Sequence, residues 1–170
     1  DKIGVIFFTD RVEKYIPPKK GRKHILHIIR ELIEFSPGNR GTDLNEPLKY
    51  LTNIIKKRCT AFMISDFLCK DFEASLKIAG RKHDLVAVTI YDERERALPS
   101  AGLARFEDPE TGRHKWVDTS LRSVRDQYAQ YWKEHQEKVS ELFKRNKVDF
   151  AWINTGDDYV RPMINLFKKR

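Results

Sequence analysis

The chain has 170 residues, 40% hydrophobic and 11% aromatic, enough apolar material for one ordinary domain with a genuine core, which excludes a disordered chain. Thirty-three Lys and Arg outnumber 25 Asp and Glu for a formal charge of +8, a balance that suits nucleic acid, anionic lipid or an acidic protein, but the excess is scattered and identifies none of them. The longest apolar runs, such as Gly4 to Phe8 and Ala61 to Ile64, fall far short of the ~20 residues that span a bilayer, so no membrane segment is expected within this stretch.

Ile3 to Phe8 is a continuous apolar run that fits a strand buried on both faces. Thr9-Asp10-Arg11 turns the chain into Val12 to Ile16, a mixed run stopped by Pro17-Pro18, which suits an antiparallel edge strand. Ile25, Ile28, Ile29, Leu32 and Ile33 recur at helical spacing, predicting an amphipathic helix over 23–35 that ends at Ser36-Pro37-Gly38. A second helix carries Leu44, Leu48, Leu51, Ile54 and Ile55 on one stripe, with Pro47 tolerated in its first turn. Ala61 to Ile64 is the next buried strand and delivers Ser65-Asp66 at its end; a helix over 71–79 follows, stopped by Gly80. Leu85 to Ile90 is another apolar strand, ending in Tyr91-Asp92.

Residues 93–118 break this βα rhythm. Two short runs, Gly102 to Phe106 and His114 to Val117, flank Asp108-Pro109-Glu110-Thr111-Gly112, a turn sequence that predicts an inserted β-hairpin. Asp118 or Thr119 then caps a long helix with its seam at Leu121, Val124, Tyr128, Trp132, His135, Val139 and Leu142. Phe150 to Ile153 is the last strand and 159–169 the last helix. Buried strands alternating with amphipathic helices imply one α/β domain over 1–170 with a mostly parallel sheet covered on both faces.

Several residue groups invite chemistry. Lys19-Lys20-Gly21-Arg22-Lys23-His24 can grip phosphates or form a solvated turn entering a helix. His24, His27 and Glu31 share one helix face, read as a polar solvent face because no fourth metal ligand accompanies them. Asp157 and Asp158 look like paired carboxylates, yet their place before the last helix suits capping. Cys59 and Cys69 have neither CxxC nor zinc-knuckle spacing and are read as reduced thiols, which favours a cytoplasmic location. No GxSxG, Walker A, GxGxxG or HExxH motif occurs, so no catalytic residue is assigned.

Gly41-Thr42-Asp43-Leu44-Asn45-Glu46-Pro47-Leu48 resembles the G-T-x-L-x-x-A-L loop before the third helix of von Willebrand factor A domains, and Phe62-Met63-Ile64-Ser65-Asp66 resembles the apolar strand ending in Thr/Ser-Asp that follows there. More closely, Asp1 to Asp10, Ile16 to Arg22, Ile64 to Phe67, Leu98 to Gly102 and Asp108 to Gly112 look like the uncharacterised bacterial A-like family, domain of unknown function fifty-eight, encoded beside MoxR-type AAA+ ATPases.

The resemblance implies a Rossmann-like, three-layer fold with one antiparallel edge strand, of which this chain is the C-terminal portion lacking the central first strand. It makes Thr42 and Asp66 the remnant of a metal-ion-dependent adhesion site, although the residues alone suit a helix cap and a strand-end turn equally well. The D-x-S-x-S motif that supplies the first metal ligands is absent. No cofactor is therefore expected in this fragment, with magnesium or another divalent cation expected in a full-length protein.

The functional expectation is a non-catalytic protein-interaction module working with a MoxR-type ATPase in protein remodelling or maturation. Alternatives are a magnesium-dependent phosphoryl hydrolase using Asp66 with Asp157 and Asp158, and a nucleic-acid binder using Lys19, Lys20, Arg22 and Lys23. Without the first strand, the edges of the strands at 3–8 and 61–64 are expected to pair directly, to exchange with a second copy as a homodimer, or to retain a further piece of the protein.

Overall fold

A computed structural model describes residues 1–69, 71–108 and 111–168. The chain divides into two compact units, residues 1–56 with 69–79 and residues 57–68 with 80–170.

In the first unit, β1 (Ile3–Phe8) pairs antiparallel with β2 (Val12–Lys19). β2 therefore runs through Pro17 and Pro18, where the sequence predicts a stop. A register shift between Ile3 and Val5 accommodates the prolines, whose missing amide donors are tolerated on an edge strand. Gly4 sits at this shift because no side chain fits: a Cβ there would lie 2.8 Å from the Ile16 carbonyl and 2.9 Å from the Pro18 nitrogen.

Helices cover both faces of this hairpin. Phe7 stacks on Phe35, at the end of α1 (Arg22–Glu34), with ring centroids 4.8 Å apart, while Tyr15 meets Tyr50 of α2 (Asn45–Ile54) edge-on at 5.6 Å. Leu44, Pro47 and Leu48 bury the start of α2. The Ser75 hydroxyl of α3 (Glu73–Lys82) donates to the Asn45 side chain at 2.6 Å. This helix continues past Gly80, which is not its stop: the residue stays helical, and Arg81 and Lys82 extend the last turn, where positive charge complements the helix dipole.

In the second unit, β3 (Thr60–Ile64), β4 (Asp84–Tyr91) and β7 (Asp149–Asn154) form a parallel sheet in the order β3-β4-β7. Five consecutive β4 residues, Leu85 to Thr89, are buried, as a central parallel strand requires. On one face Val86, Val88 and Ala151 pack with Leu166 of α6 (Val160–Lys168). On the other, Phe150 meets Phe143 of α5 (Arg122–Arg145), and the Trp152 indole donates to Ser140 at 3.3 Å.

Between β4 and α5 lie a short α4 (Glu93–Arg96), closed by a capping box from Asp92 and Glu95, and the expected hairpin of β5 (Leu103–Glu107) and β6 (His114–Asp118). Pro109 and Glu110 of its turn lie outside the described residues, as does Lys169 of the last predicted helix. Neither Asp118 nor Thr119 caps α5. Asp118 accepts from the Ser120 amide and hydroxyl, while the buried Thr119 bridges Ala101 and Gly102 at the hairpin base. Among the described residues the strands thus form a parallel three-stranded sheet and two antiparallel pairs, β1-β2 and β5-β6, a mixed α/β arrangement.

Candidate functional site

Asp66 stands at the carboxyl end of β3. A Ser65 amide bond to the Val88 carbonyl carries the strand pairing up to it. One carboxylate oxygen, Oδ1, accepts from the Leu68 amide at 3.1 Å and lies 3.4 Å from the Ser65 hydroxyl, which in turn accepts from the Phe67 amide at 3.1 Å. Phe67 adopts φ 57°, a left-handed conformation unfavourable for a bulky side chain. Burial holds it there, since Phe67 is 1% exposed and packs edge-on against Phe143 at 5.0 Å. This turn fixes the exposed Asp66 carboxylate with Oδ2 uncommitted among the described residues.

The other acidic groups at this end of the sheet have structural work. Asp92 Oδ1 accepts from the Arg94 amide at 2.8 Å and Oδ2 from the Thr155 hydroxyl at 3.3 Å. Asp158 Oδ1 accepts from the Val160 amide at 2.9 Å, as a cap of α6, and Asp157 from the Asn154 side chain at 3.2 Å. The Arg96 guanidinium carbon lies over the Tyr91 ring, 3.2 Å from its centroid, with Trp152 at 5.5 Å, a cation–π contact that the sequence pattern does not announce.

Thr42 belongs to the first unit, in the loop before α2. The Asp43 amide donates to the Thr9 carbonyl at 3.0 Å, and Asp43 Oδ1 accepts from the Asn45 amide at 2.8 Å. Asn39 donates to Asp10 at 2.7 Å, and this bond leads the causes that hold the Asp10 carboxyl below its ordinary range. Thr42 is half-buried, and among the described residues its hydroxyl takes part in none of these bonds.

Lys19, Lys20, Arg22 and Lys23 are all exposed, on the segment that enters α1. Of the His24, His27 and Glu31 face expected to meet solvent, His27 is exposed while His24 and Glu31 are half-buried. A His24 ring nitrogen meets the Ile3 carbonyl at 2.8 Å, and Glu31 pairs with Lys14, so these two side chains lie on the hairpin. The Lys14 hydrogen bond leads the causes that lower the Glu31 carboxyl. Of the predicted apolar stripe, Ile28 is half-buried while Ile25, Ile29, Leu32 and Ile33 are exposed.

One pair escaped the sequence reading. Cys59 Sγ and His83 Nδ1 lie 3.4 Å apart, brought together because Thr60 and Asp84, the next residues, are paired in the β3-β4 register. Burial raises the Cys59 thiol and Asp84 raises it further; burial lowers the His83 imidazole, and Lys82 adds to that. Both groups are thus held neutral. Cys59 and Cys69 are not joined in a disulfide.

Unit by unit, these features define an α/β protein whose parallel sheet presents a fixed carboxylate at a strand end. The family described as "Protein of unknown function DUF58" matches residues 1–138, and the chain belongs to that family. It is 24% identical over 176 residues to uncharacterized protein Rv1480 of Mycobacterium tuberculosis H37Rv and to Mb1516 of Mycobacterium bovis, in each case across all of this chain and 54% of the relative. It thus spans about half the length of those relatives. Uncharacterized protein MAV169 of Mycobacterium avium is 26% identical over 161 residues, covering 91% of this chain and 93% of its own. Among solved structures, the conserved hypothetical protein BatB of Bacteroides thetaiotaomicron superposes with a TM-score of 0.54 at 12% identity, over 99% of this chain and 78% of its own, a likeness of fold. Among the described residues, no helix is long and apolar enough to cross a membrane.

Proposed function

We propose that this chain is part of a non-catalytic protein-interaction module that works with a MoxR-type AAA+ ATPase in remodelling or maturing other proteins, and that Asp66 is its contact residue. The observation that carries the reading is the contrast at the carboxyl end of the parallel sheet. Asp92, Asp157 and Asp158 are committed to caps and turns, while Asp66 is held by a strained turn with one oxygen uncommitted among the described residues. Open α/β sheets place ligands at this end of their strands.

A carboxylate oxygen is a hard donor that suits magnesium, as is the Thr42 hydroxyl in its own loop. In the full-length protein such a cation would supply an electrophilic position for an acidic group of a partner. The family resemblance supports the choice of ATPase.

The test is a titration of the full-length protein against a MoxR-type ATPase of the same organism, in magnesium. Binding that weakens at least about tenfold in Asp66→Ala is expected, since truncating one partner of a buried charged contact costs about 2–5 kcal/mol. Absence of binding contradicts the proposal. Magnesium-dependent phosphoester turnover abolished by Asp66→Ala would replace it with a hydrolase.

A further inference from the structure

We propose that Cys59 and His83 form a linear binding site for a soft monovalent cation, copper(I), beside the starts of β3 and β4 in the second unit. The backbone sets both ligand positions. Thr60 pairs with Asp84 in the parallel register, and the Asp84 amide donates to the Cys59 carbonyl at 2.9 Å, so the residues just before the two strands stand side by side. Cys59 Sγ and His83 Nδ1 are thereby 3.4 Å apart. His83 is 1% exposed, and its Nε2 has no hydrogen-bond partner among the described residues. A buried imidazole kept for structure recovers its desolvation through hydrogen bonds at its ring nitrogens. This one engages a single nitrogen, and with a thiol, a weak donor and weak acceptor, so hydrogen bonding does little to offset its burial. Neutral imidazole is the form that ligates metals, and burial holds His83 in it.

The charge of the pair selects the cation. Burial disfavours a bare thiolate at Cys59 and an imidazolium at His83 alike. A monovalent ion removes the conflict: Cys59–SH and Cu⁺ give Cys59–S–Cu and a proton that leaves to solvent, with no change in oxidation state, and thiolate and cation together carry no net charge. A divalent ion would leave a positive charge in the same surroundings. Structural zinc also takes four protein ligands, and among the described residues no group of three or more His, Cys, Asp or Glu side chains is arranged to hold a metal. Asp84, next to His83, accepts from the Thr60 hydroxyl at 3.3 Å. Copper(I) is satisfied by one thiolate sulfur and one imidazole nitrogen in line, and soft sulfur ligands favour it. With bonds of about 2.3 Å to sulfur and about 2.0 Å to nitrogen, as for the filled-shell ion zinc, the ligand atoms stand roughly 4.3 Å apart. Cys59, half-buried where His83 is fully buried, yields the extra distance by rotating its side chain. Both ligands flank adjacent strands of one sheet, so a further segment of the protein laid over this end would bury the site more deeply without removing a ligand.

The test titrates the full-length protein, reduced and under anaerobic conditions, with copper(I) in competition with a chromogenic chelator. Cys59→Ser is expected to lose about one equivalent of copper(I) relative to the unsubstituted protein, and Cys69→Ser to keep it, with about one proton released per ion bound. His83→Gln is expected to weaken that equivalent at least about tenfold, since loss of even an outer-shell partner costs about 10–100-fold. X-ray absorption at the copper edge, taken as the difference between the unsubstituted protein and Cys59→Ser, should show a nitrogen scatterer beside sulfur, a signature that a merely structural histidine would not give. Circular dichroism checks that each variant is folded, and the scatterer in the unsubstituted protein decides should His83→Gln fail to fold. Equal uptake by Cys59→Ser and the unsubstituted protein, unchanged affinity in folded His83→Gln, or copper with sulfur neighbours alone overturns the proposal.

Discussion

Gly4, Phe67 and His83 each carry a physical constraint that a single substitution exposes. A methyl group at Gly4 meets backbone atoms of β2 at under 3 Å, so Gly4→Ala is expected to destabilise the chain by about 1–3 kcal/mol in urea unfolding. Phe67 balances an unfavourable left-handed backbone against full burial beside Phe143. Phe67→Ala keeps the strain and loses the packing, costing about 3–5 kcal/mol. His83 is 1% exposed, its imidazole is lowered by burial, and its Nε2 has no hydrogen-bond partner among the described residues. The unfolded chain therefore takes up a proton near pH ~6.5 where the folded chain resists it, so stability falls as pH drops through that value toward the lower folded pKa. Melting temperature should decline from pH ~7.5 to ~5.5, and His83→Gln should flatten the decline. An equal decline in His83→Gln would locate the proton uptake elsewhere.

At the scale of elements, the edge of β3 makes the sharpest demand. The strand is hydrogen-bonded to β4 on one side, and Phe62 and Ile64 remain 45% and 58% exposed. An edge this apolar favours added pairing. Light scattering at tens of micromolar should therefore give a mass above the 20.1 kDa of one chain, with Phe62→Lys shifting it back; a monodisperse 20.1 kDa species would mean that the edge stays bare. Most of the elements were legible in the sequence, because continuous apolar runs such as Leu85 to Thr89 mark strands and the stripe at Leu44, Leu48 and Leu51 marks a helix. The runs did not tell a central strand from an edge one: Ile3 to Phe8, expected to be buried on both faces, lies in a two-stranded hairpin with Phe7 alone buried, and Ala61 to Ile64 belongs to an edge strand. Local rules failed where tertiary contacts outweighed them. Pro17 and Pro18 were absorbed by a register shift, and Gly80 stayed helical. The exposure of Ile25, Ile29, Leu32 and Ile33 was invisible for a different reason: periodicity shows that a stripe exists, while the bonds of His24 and Glu31 place side chains from outside the stripe on the hairpin.

At the scale of the whole molecule, the family and the α/β architecture were both accessible from motif order, and the family match over residues 1–138 establishes the first. The candidate site was legible only in part. The Ile64-Ser65-Asp66 motif marked a strand end, but the fixing of Asp66 depends on Phe67 and Phe143, 76 positions apart in sequence and joined only by folding. The Cys59 and His83 pair likewise follows from strand register, which no local pattern encodes. The proposed role reduces to one claim, that a partner is engaged at the carboxyl end of β3. Amide hydrogen exchange of the full-length protein, with and without the MoxR-type ATPase in magnesium, tests it directly. The account predicts slowed exchange at the Phe67 and Leu68 amides of the Asp66 turn on complex formation, a change absent in Asp66→Ala; a complex that forms with those amides unchanged and protection confined elsewhere would contradict it.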